Sequence, residues 1–454
     1  MSASPIADRV PTTGAIFQVA WPLCFKAMML HGIVVIDAYL VSGLGEVALA
    51  AMGLAAAIGG LMLGILFAFS SATQIRIAQA FGSGRDVALK TGLYAGLFIN
   101  LTAALAGVVF VFTFGSSVLN AFAHTPWIAE QAQHYLSVFL IVVFAESICQ
   151  ALSSFFNGCG KTKVTFFTYL IAVPINIVFS ILFINGLFGF PELGVMGAAL
   201  GSALGSTSRA VILVTALLRA NGGFTHVKGW LHDTFAKSLK RHIKFSVPIA
   251  VTFISMTASS SLCALIYAKM SVNDFAAITV ILPWVHVAGT FGMSWAQSTG
   301  IMMAQLLGKR TSSDDLDTFL GRAWRSAFVA SAIVSLMYLF VGLASDWIYS
   351  DLEPETRAAI FSFLPILLIL PFPKGSNAIC GQTLRAGGDT VYVMNIFVGS
   401  QWLVKVPLTL LFVLYLELPV VWVFALVMFD EIVKFPVFHL RLYKGKWKHG
   451  ERMA

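Results

Sequence analysis

The sequence predicts an all-α polytopic membrane protein, with twelve transmembrane helices in two pseudo-symmetric six-helix bundles. Three observations carry that fold class. Hydrophobic residues make up 58% of the 454 and charged residues 11%, with a mean hydropathy of +0.85, values that belong to chains crossing a bilayer repeatedly. Apolar runs of spanning length recur twelve times, and the second half of the chain repeats landmarks of the first.

In order, the runs are 15–42, 47–80, 88–114, 127–156, 164–188, 194–218, 243–269, 275–306, 320–345, 358–384, 391–416 and 418–442. Each offers about 20 apolar residues or more, the length that crosses hydrocarbon as a helix. The basic residues set the sidedness. With a cytoplasmic N-terminus, the inner loops and both ends collect 22 of the 29 lysines and arginines, and the outer loops hold only Lys269 and Arg357. The positive-inside rule then places both termini in the cytoplasm of a multi-pass protein of a bacterial inner membrane. Arg9 is the one basic residue before position 14, and no short apolar core with a cleavage site follows, so the first span is expected to persist. The net charge of +8 follows from this topology, and no nucleic-acid partner is expected. Cys24, Cys149, Cys159, Cys263 and Cys380 show no metal-ligand spacing and read as small packing residues.

Between the sixth and seventh runs, TFAKSLKRHIK (234–244) follows Gly222, Gly223 and Gly229 and reads as a basic amphipathic helix on the anionic inner leaflet. It divides the chain into an N-terminal lobe (1–218), a cytoplasmic linker (219–242) and a C-terminal lobe with a basic tail (243–454). A shift of 226 superposes Pro22 on Pro248, Ile75 on Ile301, Gln79 on Gln305 and Gly82 on Gly308; a shift of 228 matches Pro126 with Pro354, Gly160 with Gly388 and Thr162 with Thr390. One frame held over such distances marks an internal repeat. By fold-level analogy, this plan belongs to carriers that work by alternating access.

Two stretches carry a family resemblance. WPLCFKAMMLHGIVVIDAYLVSGLGEVALAAMGLA (21–55) places a proline early and an aspartate late in the first span, ahead of an alanine-rich second span. FNGCGKTKVTFFTYLIAVPINIVFSILFINGLFGFPELGVMGAALGSALG (156–205) contains a glycine-threonine turn, an asparagine in the fifth span and a Gly-x-x-Gly-Ala-Ala entry to the sixth. Both resemble the multidrug and toxic compound extrusion (MATE) family. The resemblance implies a secondary antiporter that exports amphipathic small molecules, driven by proton entry or, as the lesser expectation, sodium entry. It implies a small-molecule substrate and the bilayer as partners, a monomer, and no cofactor beyond the coupling ion.

Carried over singly, Asp37 matches the family's aspartate of the first span and Asn176 its asparagine of the fifth. Ser180 stands where some members have a second acid, and Ser202 lies near the hydroxyl of the sixth span. The carboxylates that some sodium-coupled members place in the seventh and tenth spans are missing here, and Cys263 holds the repeat position of Asp37. Ion coupling is therefore expected in the N-terminal lobe alone. Asp37 has no basic residue within one helical turn, so it is either a desolvated carboxyl that switches its charge or an aspartate hydrogen-bonded to a neighbouring helix.

The other intramembrane charges are Lys26, Glu146, Arg209, Lys374, Lys405, Asp430, Glu431 and Lys434. Asp430 and Lys434 are spaced for a local ion pair, Lys405 for pairing with the same acids, and Glu146 and Arg209 carry no assigned role. Lys374, Lys26, His31 and Tyr39 are the substrate-path candidates. Lys374 sits in LPFPKGSN (370–377), where Pro371, Pro373 and Gly375 disturb the helix. It either faces a protein-lined cavity or meets a carboxylate at a kink. Facing a cavity unpaired, it favours an anionic or zwitterionic substrate, which keeps a flippase for a lipid-linked or amphipathic anion as the alternative function.

Two motifs of soluble enzymes are decoys. GCGKT (158–162) lacks the leading glycine and the strand of a phosphate loop, and SSDDLD (312–317) reads as a helix N-terminus rather than a metal site. No nucleophile and base stand out as a set, so no enzymatic activity is expected.

Overall fold

A chain this apolar must satisfy its backbone within each segment, and helices do so without partners. The computed structural model describes residues 10–220, 233–348 and 353–449, and among them every regular element is helical. The helices are α1 (Thr13–Ser42), α2 (Glu46–Gly82), α3 (Asp86–Phe122), α4 (Pro126–Gly158), α5 (Thr162–Asn185), α6 (Val195–Ala220), α7 (Asp233–Tyr267), α8 (Val272–Gly308), α9 (Ser313–Ile348), α10 (Pro354–Ile369), α11 (Pro371–Ala386), α12 (Thr390–Tyr415) and α13 (Val420–Tyr443). Ten of these are long and apolar enough to cross a membrane singly, and α10 with α11 makes an eleventh span bent by 45°. The twelfth predicted span is α13, a 24-residue helix whose composition is diluted by Asp430, Glu431, Lys434 and Arg441.

The repeat is legible in the helix ends. α2 and α8 each run 37 residues, and both ends are offset by 226. α4 and the α10–α11 pair are offset by 228 at both ends. Packing separates two compact units, Phe25–Val247, and Pro248–Ala454 together with Met1–Cys24. Pro22 and Pro248, the superposed prolines, lie at these boundaries, each inside a helix whose hydrogen-bond ladder it interrupts.

The basic segment 234–244 forms the opening turns of α7 rather than a separate element, because no proline or glycine intervenes before Pro248. Lys237, Lys240, Arg241 and Lys244 are exposed, whereas His242 is buried and its Nε2 lies 3.0 Å from Thr73 Oγ1. The linker glycines Gly222, Gly223 and Gly229 lie outside the described residues. Arg76, Lys90 and Arg385, three of the 22 basic residues assigned to the inner side, are buried within helix ends. Ser312 caps α9 as SSDDLD suggests: Asp315 N donates to its Oγ at 3.3 Å.

In the unit Phe25–Val247, one core cluster packs Val41, Ala51, Tyr135, Leu136 and Ala198, and another packs Ile77, Leu93, Leu152, Phe156 and Leu213. In the second unit, Ile281, Tyr338, Phe363, Leu367 and Phe424 form the centre, with Phe363 and Phe424 stacked at 4.2 Å. Phe112, Val211, Leu265, Phe340 and Leu403 are exposed, the surface that hydrocarbon covers.

The contact that positions the candidate site is between α5 and α6. Gly197, Gly201 and Gly205 place a small residue at every fourth position of α6. A Cβ at Gly197 would lie 2.6 Å from Ile184 N; at Gly201, 2.8 Å from the Asn176 carbonyl oxygen; and at Gly205, 3.2 Å from that of Ala172. Backbones approach this closely only where side chains are absent, as in small-xxx-small helix pairs.

Candidate functional site

The glycine seam sets Ser202 beside α5, and a hydrogen-bonded chain then forms across three helices. Ser202 Oγ donates to Asp37 Oδ2 at 2.9 Å, and Asn176 Nδ2 donates to Ser202 Oγ at 2.9 Å. Asp37 is 7% exposed, Asn176 2% and Ser202 8%. Ser180, one turn below Asn176 on α5, is fully buried against Gly201. Asp37 Oδ1, Asn176 Oδ1 and Ser180 Oγ are buried with no hydrogen-bond partner among the described residues. Among those residues, no lysine or arginine makes an ion pair with Asp37. Tyr135 is the neighbour close enough to feel its charge, and it packs in the same core cluster as Val41. A carboxylate held by a hydroxyl, with its second oxygen unsatisfied, has a vacancy that a proton fills by turning an acceptor into a donor.

A second polar cluster lies in the same unit. Arg209 on α6 is ion-paired with Glu146 on α4, and the Arg209 guanidinium stacks 3.7 Å from the centre of the Tyr169 ring. Gln150 Nε2 donates to Glu146 at 3.3 Å, and the Lys26 ammonium stands 5.8 Å from the centre of the same tyrosine ring. Lys26 is half-buried here. Two more of the substrate-path candidates, His31 and Tyr39, are exposed, Tyr39 at 77%. Removing one member of a buried pair strands the other charge, a loss of about 3–5 kcal/mol. Glu146→Gln should therefore lower the thermal unfolding temperature of the detergent-solubilised protein sharply, and Glu146→Leu with Arg209→Met should recover much of it. An unchanged melting curve for Glu146→Gln would show that the pair contributes nothing.

In the second unit, Lys434 Nζ donates to Asp430 and to Glu431, both at 2.9 Å, and Asn377 Nδ2 donates to Glu431 at 2.8 Å. The local pair suggested by the spacing of Asp430 and Lys434 is thus present. Among the described residues, Lys405 pairs with neither acid. Lys374 lies just past the bend between α10 and α11. The carbonyls loosened there are taken up by α9, where Ser335 Oγ donates to Leu368 O at 2.8 Å and Ser331 Oγ to Pro371 O at 2.9 Å. Gly375 is needed for this approach, since a Cβ there would lie 2.7 Å from Ser331 Oγ. Cys263, the repeat counterpart of Asp37, packs in the core with its sulfur 3.8 Å from Thr409 Oγ1.

The two halves of the chain each match one family. The MatE family pattern covers residues 22–182 and again 248–411. The chain belongs to the MatE family. Members of this family are transporters, and the chain is a multi-pass membrane transporter rather than an enzyme. It is similar to the uncharacterised transporter YisQ of Bacillus subtilis, 22% identical over 96% of this chain and 95% of YisQ. It is also similar to the probable multidrug resistance protein NorM of Listeria monocytogenes, 26% identical over 73% of this chain and 72% of NorM. A solved MATE structure in a bent conformation shares the fold, with a TM-score of 0.83 and 18% identity over 95% of this chain and 96% of that one.

The small-residue seam of this MATE chain was the feature hidden in plain view. Three glycines at four-residue spacing are a readable signal for close helix pairing. The Glu146–Arg209 pair had no such signal, because its partners are 63 residues apart on different helices.

Proposed function

We propose that this MATE transporter is a secondary antiporter that exports amphipathic small molecules of the drug or toxin class from the bacterial cytoplasm by alternating access, coupled to proton entry. The observation that carries the coupling is the Asp37–Ser202–Asn176 chain, a buried carboxylate in a cradle of neutral polar groups with one oxygen unsatisfied. Charged, Asp37 requires a counter-ion or water; neutral, it is compatible with a closed apolar surround, so the two protonation states favour different arrangements of the helices. Sodium is the second choice of ion, served by Asp37 Oδ1, Asn176 Oδ1 and Ser180 Oγ as oxygen ligands. The name of the NorM relative supports the substrate class. A second function, transfer of a lipid-linked or amphipathic anion between leaflets, is favoured by one observation: the Lys374 ammonium has no acidic partner among the described residues.

Inverted vesicles test the proposal. A cysteine replacing exposed Lys237 should be labelled by a membrane-impermeant reagent from outside such vesicles, the native cysteines being buried. An imposed pH gradient should then drive uptake of amphipathic dyes, and a sodium gradient alone should not. Uptake driven by sodium and indifferent to pH would reassign the ion. Labelling only in right-side-out vesicles would reverse the topology.

A further inference from the structure

The second unit holds a surplus of buried positive charge that the coupling chemistry does not use. Lys374 lines a small cleft, about 20 Å³, between α8, α9 and the α10–α11 bend. Its walls are Gly289, Gly292 and Met293 on one side and Ser331, Val334 and Tyr338 on the other. The charges near enough to act on Lys374 are Glu431, Lys434, Lys405 and Asp430. Both acids are already engaged by Lys434 and Asn377. Tyr338 and Ser331 donate their hydroxyl protons to the carbonyls of Val285 and Pro371, and as neutral groups neither can cancel the charge of the ammonium. Gly289 and Gly292 leave the opposite wall bare of side chains: a Cβ at Gly289 would be 3.9 Å from Lys374 Nζ, and one at Gly292 would meet nothing within 4 Å. The α11 start adds little of its own, since Pro371 and Pro373 carry no N–H.

We infer that this cleft is the subsite for an anionic group, a carboxylate or phosphate, of the transported molecule, with Lys374 as its ion-pairing residue and Met293, Val334 and Leu370 as the apolar wall. The substrate class is thereby narrowed to amphipathic anions and zwitterions, a narrowing that rests on the transport function proposed above. The same chemistry has two sources, a free organic acid or an anionic lipid headgroup. A half-buried ammonium that makes no ion pair is costly in a membrane, and an anionic ligand supplies the missing partner through a charge-assisted hydrogen bond.

The test is equilibrium binding without any gradient, so that it is independent of Asp37. Purified protein in neutral-lipid nanodiscs is titrated with 11-(dansylamino)undecanoate and with its primary amide, and Gly53→Ala, at an open position of α2, serves as a control for intact binding. The carboxylate should bind about tenfold or more tightly than the amide, Lys374→Arg should keep that preference, and Lys374→Met should bring it towards one. Equal binding of acid and amide by the unaltered protein overturns the proposal whether or not Lys374→Met folds, as does a preference that survives in a folded Lys374→Met variant. In a parallel arm, fluorescent phosphatidylglycerol and phosphatidylcholine are followed in proteoliposomes. Selective, Lys374-dependent transfer of phosphatidylglycerol assigns the subsite to a lipid headgroup. Dansyl-acid selectivity without lipid transfer assigns it to a free acid. Acid selectivity in an unaltered protein that shows no gradient-driven export would overturn the coupling proposal and leave this one standing.

Discussion

Asp37→Asn is expected to yield a folded, membrane-inserted protein in which proton-driven export falls to the background of protein-free vesicles. Asparagine has nearly the shape of aspartic acid, and its carbonyl oxygen can accept from Ser202 Oγ as Asp37 Oδ2 does at 2.9 Å. Its amide places a permanent donor where Oδ1 now has no partner. Under the proposed coupling, the variant should be locked in the equivalent of the protonated state, so binding should persist while the cycle cannot release a proton. The sign follows directly: a pH gradient that accelerates export by the unaltered protein leaves Asp37→Asn unmoved. Tyr135, the nearby titratable side chain, provides a control, since Tyr135→Phe keeps the packing and should retain the response to the gradient. Undiminished proton-driven export by Asp37→Asn would remove the residue from the mechanism.

The second large effect is expected where there is no side chain. Gly201→Ala adds one methyl group that would lie 2.6 Å from Ser180 N and 2.8 Å from the Asn176 carbonyl oxygen, both backbone atoms that cannot rotate aside. Overpacking of this kind costs about 1–3 kcal/mol in a well-packed interior. Here the strain must be relieved by moving α6 away from α5, which carries Ser202 off Asn176. Gly201→Ala should lower both the unfolding temperature and gradient-driven export, and Gly201→Leu should fail to accumulate as folded protein. Gly53→Ala, at an open position of α2, is the matched control, because nothing lies within 4 Å of its added carbon. A Gly201→Ala protein with unaltered melting and transport would mean that the helices are not held at this separation.

What could be read without coordinates follows the range of the forces involved. Hydropathy and helix length act locally, so the twelve runs reappear as helices with shifted ends, and the widest change is in α7, which begins at Asp233 rather than 243. The bend at Leu370 was visible in Pro371 and Pro373 for the same reason. Asp37, Asn176 and Ser202 could be singled out one by one, but their meeting depends on Gly197, Gly201 and Gly205 being aligned against α5. Lys374 was left with two readings because its isolation depends on Lys434 and Asn377 already holding Glu431 across a helix contact. Pairings between distant helices leave no periodic trace, as Glu146 and Arg209 illustrate.

The glycine seam also has a mechanical consequence. Most helix pairs meet through an interdigitated layer of side chains, whose rotamers let one helix slide or tilt a little against the other. α5 and α6 meet through peptide atoms along Gly197, Gly201 and Gly205, leaving no such soft layer. The pair behaves as a stiff double beam, with Asn176, Ser180 and Ser202 fixed along it like points on a ruler. Asp37 is carried by a separate helix, α1, which Pro22 interrupts near its start. Under the proposed coupling, α5 and α6 would supply the reference frame against which a change of charge at Asp37 is read.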